Sequence, residues 1–147
     1  MAQYRKLMPR FWSDTRIRDL TLSQKVLFNY AITGLEACNI VNLSGIYEIH
    51  RGQLSSMTGI PIDVIEDDLR FFNKKRPMLM QFDENNHMLF VKSFYKYNSN
   101  YKSDISSLIL DFTETFHKAP YFWAEFGQKY EERLNKILKV VEDQTHT

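Results

Sequence analysis

LSGIYEIHRGQLSSMTGIPIDVIEDDLRFFNKKR, residues 43–76, carries the most specific fold signal in the chain. Its first part, residues 43–50, predicts a short strand, because β-branched and aromatic residues follow an entry kink at Gly45. The segment RGQLSSMTGIP then predicts a short helix, containing Leu54 and Met57, that Gly59 ends in a left-handed turn. Residues 62–76 predict a second helix. Four of its apolar residues are expected to face inward: Val64, Ile65, Leu69 and Phe72.

A helix before this stretch and a hairpin after it complete the pattern. Thr21 and Gln24 have the spacing of a capping box, so a helix is expected to begin at Thr21. Its apolar side is expected to contain Leu22, Val26, Leu27, Tyr30 and Ala31. After Pro77, two strands at about residues 79–83 and 87–95 flank a polar turn and predict a hairpin.

The resulting order is helix, strand, helix, tight turn, helix and hairpin, which is the order of a winged helix-turn-helix domain. Residues 62–76 take the place of its recognition helix, and the hairpin takes the place of its wing. We assign residues 1–97 to this domain, residues 98–104 to a polar linker and residues 105–147 to a C-terminal helical extension. The predicted fold class is α+β, mostly α.

The C-terminal extension carries two apolar stripes at helical spacing, separated by Pro120. The first stripe contains Ile105, Leu108, Ile109, Phe112 and Phe116. The second predicts one long helix and contains Phe122, Phe126, Tyr130, Leu134, Ile137 and Val141.

Composition favours a globular protein of a reducing compartment. The chain has 147 residues, 44% hydrophobic, with a net charge of +1, so no global basic signal points to nucleic acid. Cys38 is the single cysteine, which excludes an internal disulfide. No apolar run is long enough for a membrane-spanning helix, and the N-terminus lacks the apolar core of a secretory signal. We therefore expect a cytoplasmic protein that does not contact a membrane.

Three segments resemble a known family: FWSDTRIRDLTLSQKVLFNYAITG, LSGIYEIHRGQLSSMTGIPIDVIEDDLRFF and MLFVKSFYKYNSNYKSDI. Their order and spacing are similar to the N-terminal winged-helix domain of phage and prophage replication-initiation proteins, relatives of the DnaD-like replisome organisers. The resemblance covers roughly residues 5–110. It implies origin or DNA binding, self-association and recruitment of replication partners such as a helicase or its loader.

The segment after the hairpin alternates basic and aromatic residues, KSFYKYNSNYK. As a DNA-binding segment, it would use lysines on phosphates and exposed tyrosines on bases. The alternative is structural, with Phe94 in the core and the lysines keeping a strand edge soluble. Strand alternation would put Lys92 and Phe94 on one face and Tyr95 on the other. The candidate DNA-binding residues here are Lys92, Lys96, Tyr97 and Lys102.

Further candidates lie on the helix-turn-helix and before it. Lys74, Lys75 and Arg76 end the recognition helix, where they either grip phosphates or match the helix dipole. The helix before the turn offers Arg51, Gln53, Ser55 and Ser56, residue types that contact phosphates or decorate a surface. Arg5, Lys6 and Arg10 form an arm toward DNA or decorate an entry strand. The first half of the recognition helix carries Asp63, Glu66, Asp67 and Asp68, which oppose phosphate binding.

Large aromatic residues near both ends of the chain are candidates for oligomerisation: Phe11, Trp12, Phe122, Trp123 and Phe126. An apolar load of this size on a terminal helix must be covered. Either the helix folds back over the winged helix, or a second copy or another protein covers it.

No catalytic constellation is found. The four histidines are scattered, no C-x-x-C motif suggests zinc, and no glycine-rich phosphate loop occurs. We expect no metal, no cofactor and no enzymatic activity.

The leading hypothesis is a DNA-binding replication-initiation module that binds single- or double-stranded DNA electrostatically and self-associates. The alternatives are a protein–protein adaptor that kept the winged-helix shape without DNA binding, and a helix-turn-helix transcriptional regulator.

Overall fold

The computed structural model describes residues 14–34, 36–38, 42–98 and 105–145. It is an α+β structure, mostly helical, with a small antiparallel sheet of three strands, which confirms the predicted class. In chain order the elements are α1 (Thr15–Arg18), α2 (Leu22–Thr33), β1 (Ile46–Glu48), α3 (Arg51–Thr58), α4 (Ile62–Lys74), β2 (Met80–Asp83), β3 (Met88–Val91), α5 (Phe94–Asn98), α6 (Ile105–Thr115), α7 (Pro120–Lys129) and α8 (Glu131–Thr145).

The sheet has strand order β1–β3–β2, with β3 in the middle. Phe90 of β3 lies opposite Ile46 of β1 and Gln81 of β2. Successive residues of a strand point to opposite faces, so Leu89 faces away from Phe90. All four residues of β3 are buried, which shows that both faces of the sheet are covered.

The first face of the sheet packs against α2, α3 and α4. The Thr21 hydroxyl and the Gln24 amide form the predicted capping box at the start of α2. Asn73 of α4 pairs its side-chain amide with the backbone N–H and C=O of Phe82, which holds α4 against β2. The core on this side includes Leu27, Phe28, Ala31, Tyr47, Leu54, Ile65, Leu69, Phe72, Phe82, Leu89 and Val91.

The turn between α3 and α4 has the geometry predicted from Gly59. This glycine has φ +77°, in the left-handed region that an L side chain rarely adopts. The Ser55 hydroxyl donates to the carbonyl of Ile60 at 2.6 Å, across the turn. The sequence therefore specifies this turn locally, through one glycine and one hydroxyl.

The second face of the sheet packs against α6, α7 and α8. At the rim, the Lys118 ammonium pairs with Glu48 of β1, and the Tyr121 hydroxyl donates to Asp83 of β2. The apolar centre contains Ile46, Met88, Phe90, Tyr95, Leu108, Phe112, Ala119, Phe122, Trp123, Phe126 and Ile137. The C-terminal helices thus complete a second core that the sheet shares.

The predicted single helix over the second C-terminal stripe is wrong, because the chain forms two helices that meet at Tyr130. Tyr130 leaves the helical region with φ −127° and ψ 53°. A Cβ added at Gly127 would lie 2.1 Å from Leu134 Cδ2, so α8 packs closely over the end of α7. A stripe at helical spacing does not reveal this break, because both helices place their apolar residues on the same core.

Two other boundaries differ from prediction. Strand β1 spans only Ile46–Glu48, and β3 ends at Val91 instead of continuing to residue 95. The chain turns after β3 and forms α5, which makes the predicted strand alternation of residues 92–97 wrong. Residues 99–104, most of the predicted linker, lie outside the described residues, so the proposed domain boundary stays a prediction.

Helix α2 is also rotated relative to prediction. Helical spacing predicts that Leu22 and Val26 face inward, but they are 79% and 40% exposed. The buried residues of α2 are Gln24, Leu27, Phe28 and Ala31. The sequence is apolar on both sides of this helix, and helical spacing alone does not decide which side meets the core.

A buried carboxylate fixes α6 to the loop before β1. Asp111 accepts hydrogen bonds from the backbone N–H of Leu43 at 3.0 Å and of Ser44 at 2.8 Å. Burial raises the pKa of Asp111 to about 7, and the hydrogen bonds from Ser44 and Leu43 oppose that rise. The loop is completed by Asn42, whose side chain accepts from the Gly45 N–H and donates to the Ala37 carbonyl.

Two glycines provide a matched test of this loop. Gly45 has φ +88°, and an added Cβ would lie 2.6 Å from the Val91 carbonyl oxygen. We expect Gly45→Ala to lower the free energy of unfolding by about 1–3 kcal/mol. Gly52 lies within α3 with nothing near its Cβ position, so Gly52→Ala should raise it by roughly 0.5–1 kcal/mol. Urea denaturation measures the free energy of unfolding of each variant. If both substitutions changed it by the same amount in the same direction, the loop geometry would be contradicted.

Asp111 predicts a pH dependence of stability. Its folded-state pKa, about 7, lies above its ordinary value of 3.8, so the folded protein binds the proton more tightly. The contribution of protonated Asp111 to the free energy of unfolding is therefore complete below pH 3.8 and is lost as pH rises through 7. Asp111→Asn removes the titration, so the stability of the wild-type chain should fall relative to the variant by about 1 kcal/mol per pH unit in that interval. Parallel curves for the two chains would contradict the assignment; Asp143→Asn, at an exposed site, is the control.

Candidate nucleic-acid interface

The basic end of α4 is one part of the predicted interface that remains open to solvent. Lys74 and Arg76 are exposed, and Lys75 is half-buried. Arg76 donates to the backbone carbonyls of Asn73 and Lys75, at 3.1 and 3.0 Å. Among the described residues, no carboxylate forms an ion pair with any of the three cations. Their charges are therefore available to an anionic ligand.

The predicted contacts on α3 are largely engaged within the protein. Arg51 lies 3.7 Å from carboxylate oxygens of both Glu66 and Glu84, which connects α3 to α4 and to the hairpin turn. The Gln53 amide donates to Glu36 at 2.7 Å. The Ser55 hydroxyl is used across the α3–α4 turn. Ser56 is exposed, so it is the member of this group whose hydroxyl faces solvent.

Lys92 is part of the packing between the sheet and α7. Its side chain is 12% exposed, and its ammonium pairs with Glu125 and donates to Gln81 at 3.0 Å. The same ammonium lies 4.3 Å from the centre of the Phe90 ring. Burial lowers the pKa of Lys92, while the Glu125 carboxylate raises it. The prediction of a phosphate contact at Lys92 is wrong, because α7 covers this side chain on the second face of the sheet.

The stacking platform predicted after the hairpin is not formed as expected. Phe94 and Tyr95 are 2% and 0% exposed, each in a different core. The two residues are adjacent, and adjacent side chains point in different directions on a helix as on a strand, so each reaches a different core. Lys96 is exposed on α5. The side chain of Tyr97 and the whole of Lys102 lie outside the described residues, so their DNA contacts stay predictions.

The outward side of α4 is acidic over its first half. Asp63 and Asp67 are exposed, and Glu66 is half-buried. Arg70 pairs with Asp67 at 3.1 Å and with Glu66 at 3.7 Å. Asp68 is buried and accepts from the Ser23 hydroxyl at 2.8 Å, so it acts between α2 and α4. Charge on α4 is therefore separated along the helix, negative first and positive at its end.

Two cavities adjoin these elements, and both contain more carboxylates than cations. An open groove of about 660 Å³ lies between α4, the hairpin and α7, and its charged residues are Arg70, Asp83 and Glu84. A second cavity, of about 370 Å³, lies beside β1 and α6 and includes Asp111 and Glu114. The Lys118 hydrogen bond lowers the pKa of Glu48 at its edge, which keeps that carboxylate charged. Neither cavity suits an anionic ligand.

The aromatic residues predicted for oligomerisation fall into two groups, three in the core and two outside the described residues. Phe122, Trp123 and Phe126 are each 1% exposed, within the core on the second face of the sheet. That interface prediction is wrong for these three, because the chain covers them itself. Phe11 and Trp12 lie outside the described residues, as do Arg5, Lys6 and Arg10.

Sequence reasoning missed two residues that organise this region. Asp111 is a polar residue within an apolar stripe, and this break in the pattern was the available signal. Glu125 is an exposed helical carboxylate, and nothing in its sequence context indicates the Lys92 pairing.

Within the described ranges, no cluster of at least three His, Cys, Asp or Glu residues could hold a metal ion. No helix among them has the length and apolar character needed to span a bilayer.

The position of Lys92 predicts different effects for two substitutions. Lys92→Glu places a second carboxylate against Glu125, and we expect it to lower the free energy of unfolding by about 3 kcal/mol or more. Lys92→Met keeps the aliphatic stem on the Phe90 ring and should cost only about 1 kcal/mol. Lys74→Glu, on the exposed end of α4, is the matched charge reversal, and because it only opposes the helix dipole it should cost about 1 kcal/mol or less. Equal denaturation midpoints for the two Glu variants would mean that Lys92 faces solvent.

Comparison with protein-family models, with curated proteins and with solved structures finds no match to this chain.

Proposed function

We propose that this chain is a DNA-binding replication-initiation module of phage or prophage type, built on a winged helix-turn-helix. The element order supports the winged helix: α3, the Gly59 turn and α4 precede the β2–β3 hairpin, which pairs with β1. The replication role rests on the resemblance of residues 5–110. A cytoplasmic location, self-association and replication partners belong to the same proposal.

One observation carries the DNA-binding proposal: Lys74, Lys75 and Arg76 end α4 with no carboxylate partner among the described residues. Four other cations of the described chain, Arg51, Arg70, Lys92 and Lys118, are paired within the protein, whereas the basic end of α4 places three cations in succession. Three adjacent positive charges without such partners attract a phosphate backbone and release its counterions. Lys96, Tyr97 and Lys102, on and after α5, extend the proposed contact along the chain.

Binding of this kind reads the phosphate backbone more than the bases. The first half of α4 presents Asp63 and Asp67, and a carboxylate in a groove of DNA is repelled by the phosphates on both sides. Phosphate contacts position a protein on DNA and carry no sequence information directly. We therefore expect modest sequence preference and a strong dependence on salt.

The test is fluorescence anisotropy with labelled single- and double-stranded DNA at about 50 and 200 mM salt. The triple variant Lys74→Gln, Lys75→Gln, Arg76→Gln should bind more weakly. Its slope of log affinity against log salt on duplex DNA should be less steep by roughly 0.9 for each phosphate that the variant no longer neutralises.

The matched control removes three other lysines, all exposed on α7 and α8: Lys129→Gln, Lys136→Gln and Lys139→Gln. This variant loses the same charge, so a general effect of net charge would weaken both variants equally. Absence of binding to either DNA at low salt would contradict the proposal. Tight binding to one palindromic duplex with little salt dependence would favour a transcriptional regulator instead.

A further inference from the structure

Helix α2 is apolar on two sides. Its core side contains Leu27, Phe28 and Ala31, which are buried. Its outward side presents Leu22, 79% exposed, and Val26, 40% exposed, one helical turn apart. No described part of the chain covers the outward side of α2.

Helices α2 and α4 are in contact, and each presents apolar side chains to solvent. The Ser23 hydroxyl donates to Asp68 at 2.8 Å, which joins the two helices at that point. Val26 lies one turn beyond Ser23, and Phe71, 39% exposed, lies one turn beyond Asp68. On each helix these apolar side chains lie on the solvent side of the residue that makes the contact. We call Leu22, Val26 and Phe71 the α2–α4 apolar face.

Carboxylates border this face. Asp63, Asp67 and Phe71 are spaced four residues apart, so they form one row along the outward side of α4. Asp63 has no ion pair among the described residues, and Asp67 shares Arg70 with Glu66. A ligand that covers the apolar face therefore meets negative charge on its α4 side, while Lys25 lies beside Leu22 on α2. DNA does not fit here, because phosphates would face these carboxylates.

We propose that the α2–α4 apolar face binds a basic amphipathic helical segment of a partner protein. The apolar side of that segment covers Leu22, Val26 and Phe71, and its Lys or Arg residues face Asp63 and Asp67. This is the recognition of an amphipathic helix by an apolar surface with complementary charge. The site is separate from the basic end of α4 and does not depend on the DNA-binding proposal.

The experiment uses two synthetic helical peptides with the same apolar side, one of leucine and lysine and the other of leucine and glutamate. Isothermal titration with the full chain should show binding of the lysine peptide and much weaker binding of the glutamate peptide. Backbone amide shifts in NMR spectra should change at α2 and α4. No binding of the lysine peptide, or shifts confined to other helices, overturns the proposal.

Variants then test the apolar residues and the carboxylates of this surface separately. Val26→Ser with Phe71→Ser should weaken lysine-peptide binding about tenfold or more. These side chains are 40% and 39% exposed and Phe71 also packs on Phe72, so a lower midpoint of thermal unfolding is expected, and circular dichroism at the titration temperature checks that the variant is folded. Asp63→Lys with Asp67→Lys should reverse the preference, so that the glutamate peptide binds better. The matched control is Leu110→Ser with Glu114→Gln, an exposed apolar residue and carboxylate one turn apart on α6, which should leave binding unchanged.

Two results from these variants would overturn the proposal. Equal weakening by the α6 control would mean that the peptide adheres to any apolar and acidic surface. A wild-type dimer that Val26→Ser with Phe71→Ser converts to a monomer would identify a second copy of this chain as the occupant. Size-exclusion chromatography with light scattering measures that directly.

Discussion

A sheet of three short strands, apolar on both faces, constrains the arrangement of the helices that pack on it. Strand β3 buries all four of its residues, two toward each side. A small sheet of this kind is stable only when helices cover its apolar surface. Helices α2, α3 and α4 cover one face, and the C-terminal helices cover the other. The aromatic residues of α7 are therefore core residues and do not form an external interface.

The packing of α6, α7 and α8 on the second face of the sheet also determines which cations remain exposed to an anionic ligand. Lys118 pairs with Glu48 and Tyr121 donates to Asp83 at the rim of the sheet, and the enclosed Lys92 pairs with the exposed Glu125. A lysine used in this way stabilises the packing and is removed from the surface potential that attracts an anion. The net charge of the chain says little about ligand binding, because the structure pairs some cations and leaves others open.

Helix α4 separates the two proposed contacts. It has 13 residues, which at 1.5 Å per residue gives a length of about 20 Å. The carboxylates lie in its first half, and the basic residues without carboxylate partners in the described chain lie at its last turn and just beyond. Because screened charges at this distance act almost independently, DNA at one end and a basic partner at the other need not compete.

Features that depend on local geometry could be predicted from the sequence alone. Thr21 and Gln24 specify the start of α2, Gly59 specifies the left-handed turn after α3, and the strand pattern around residues 80–91 specifies the hairpin. Each is set by the backbone preference or hydrogen bonding of a few neighbouring residues. The α+β class followed from the order of these elements.

Which side of an element is covered, and which charges are neutralised, emerges only in the folded chain. Leu22 and Val26 have the same spacing as core residues, yet they face solvent. Lys92 and Lys74 look alike in the sequence, yet one is enclosed beside Glu125 and the other is exposed. Burial and ion pairing depend on residues far along the chain, such as Glu125 for Lys92 and Asp111 for Ser44. Local pattern contains no information about such contacts, because the three-dimensional fold alone brings the partners together.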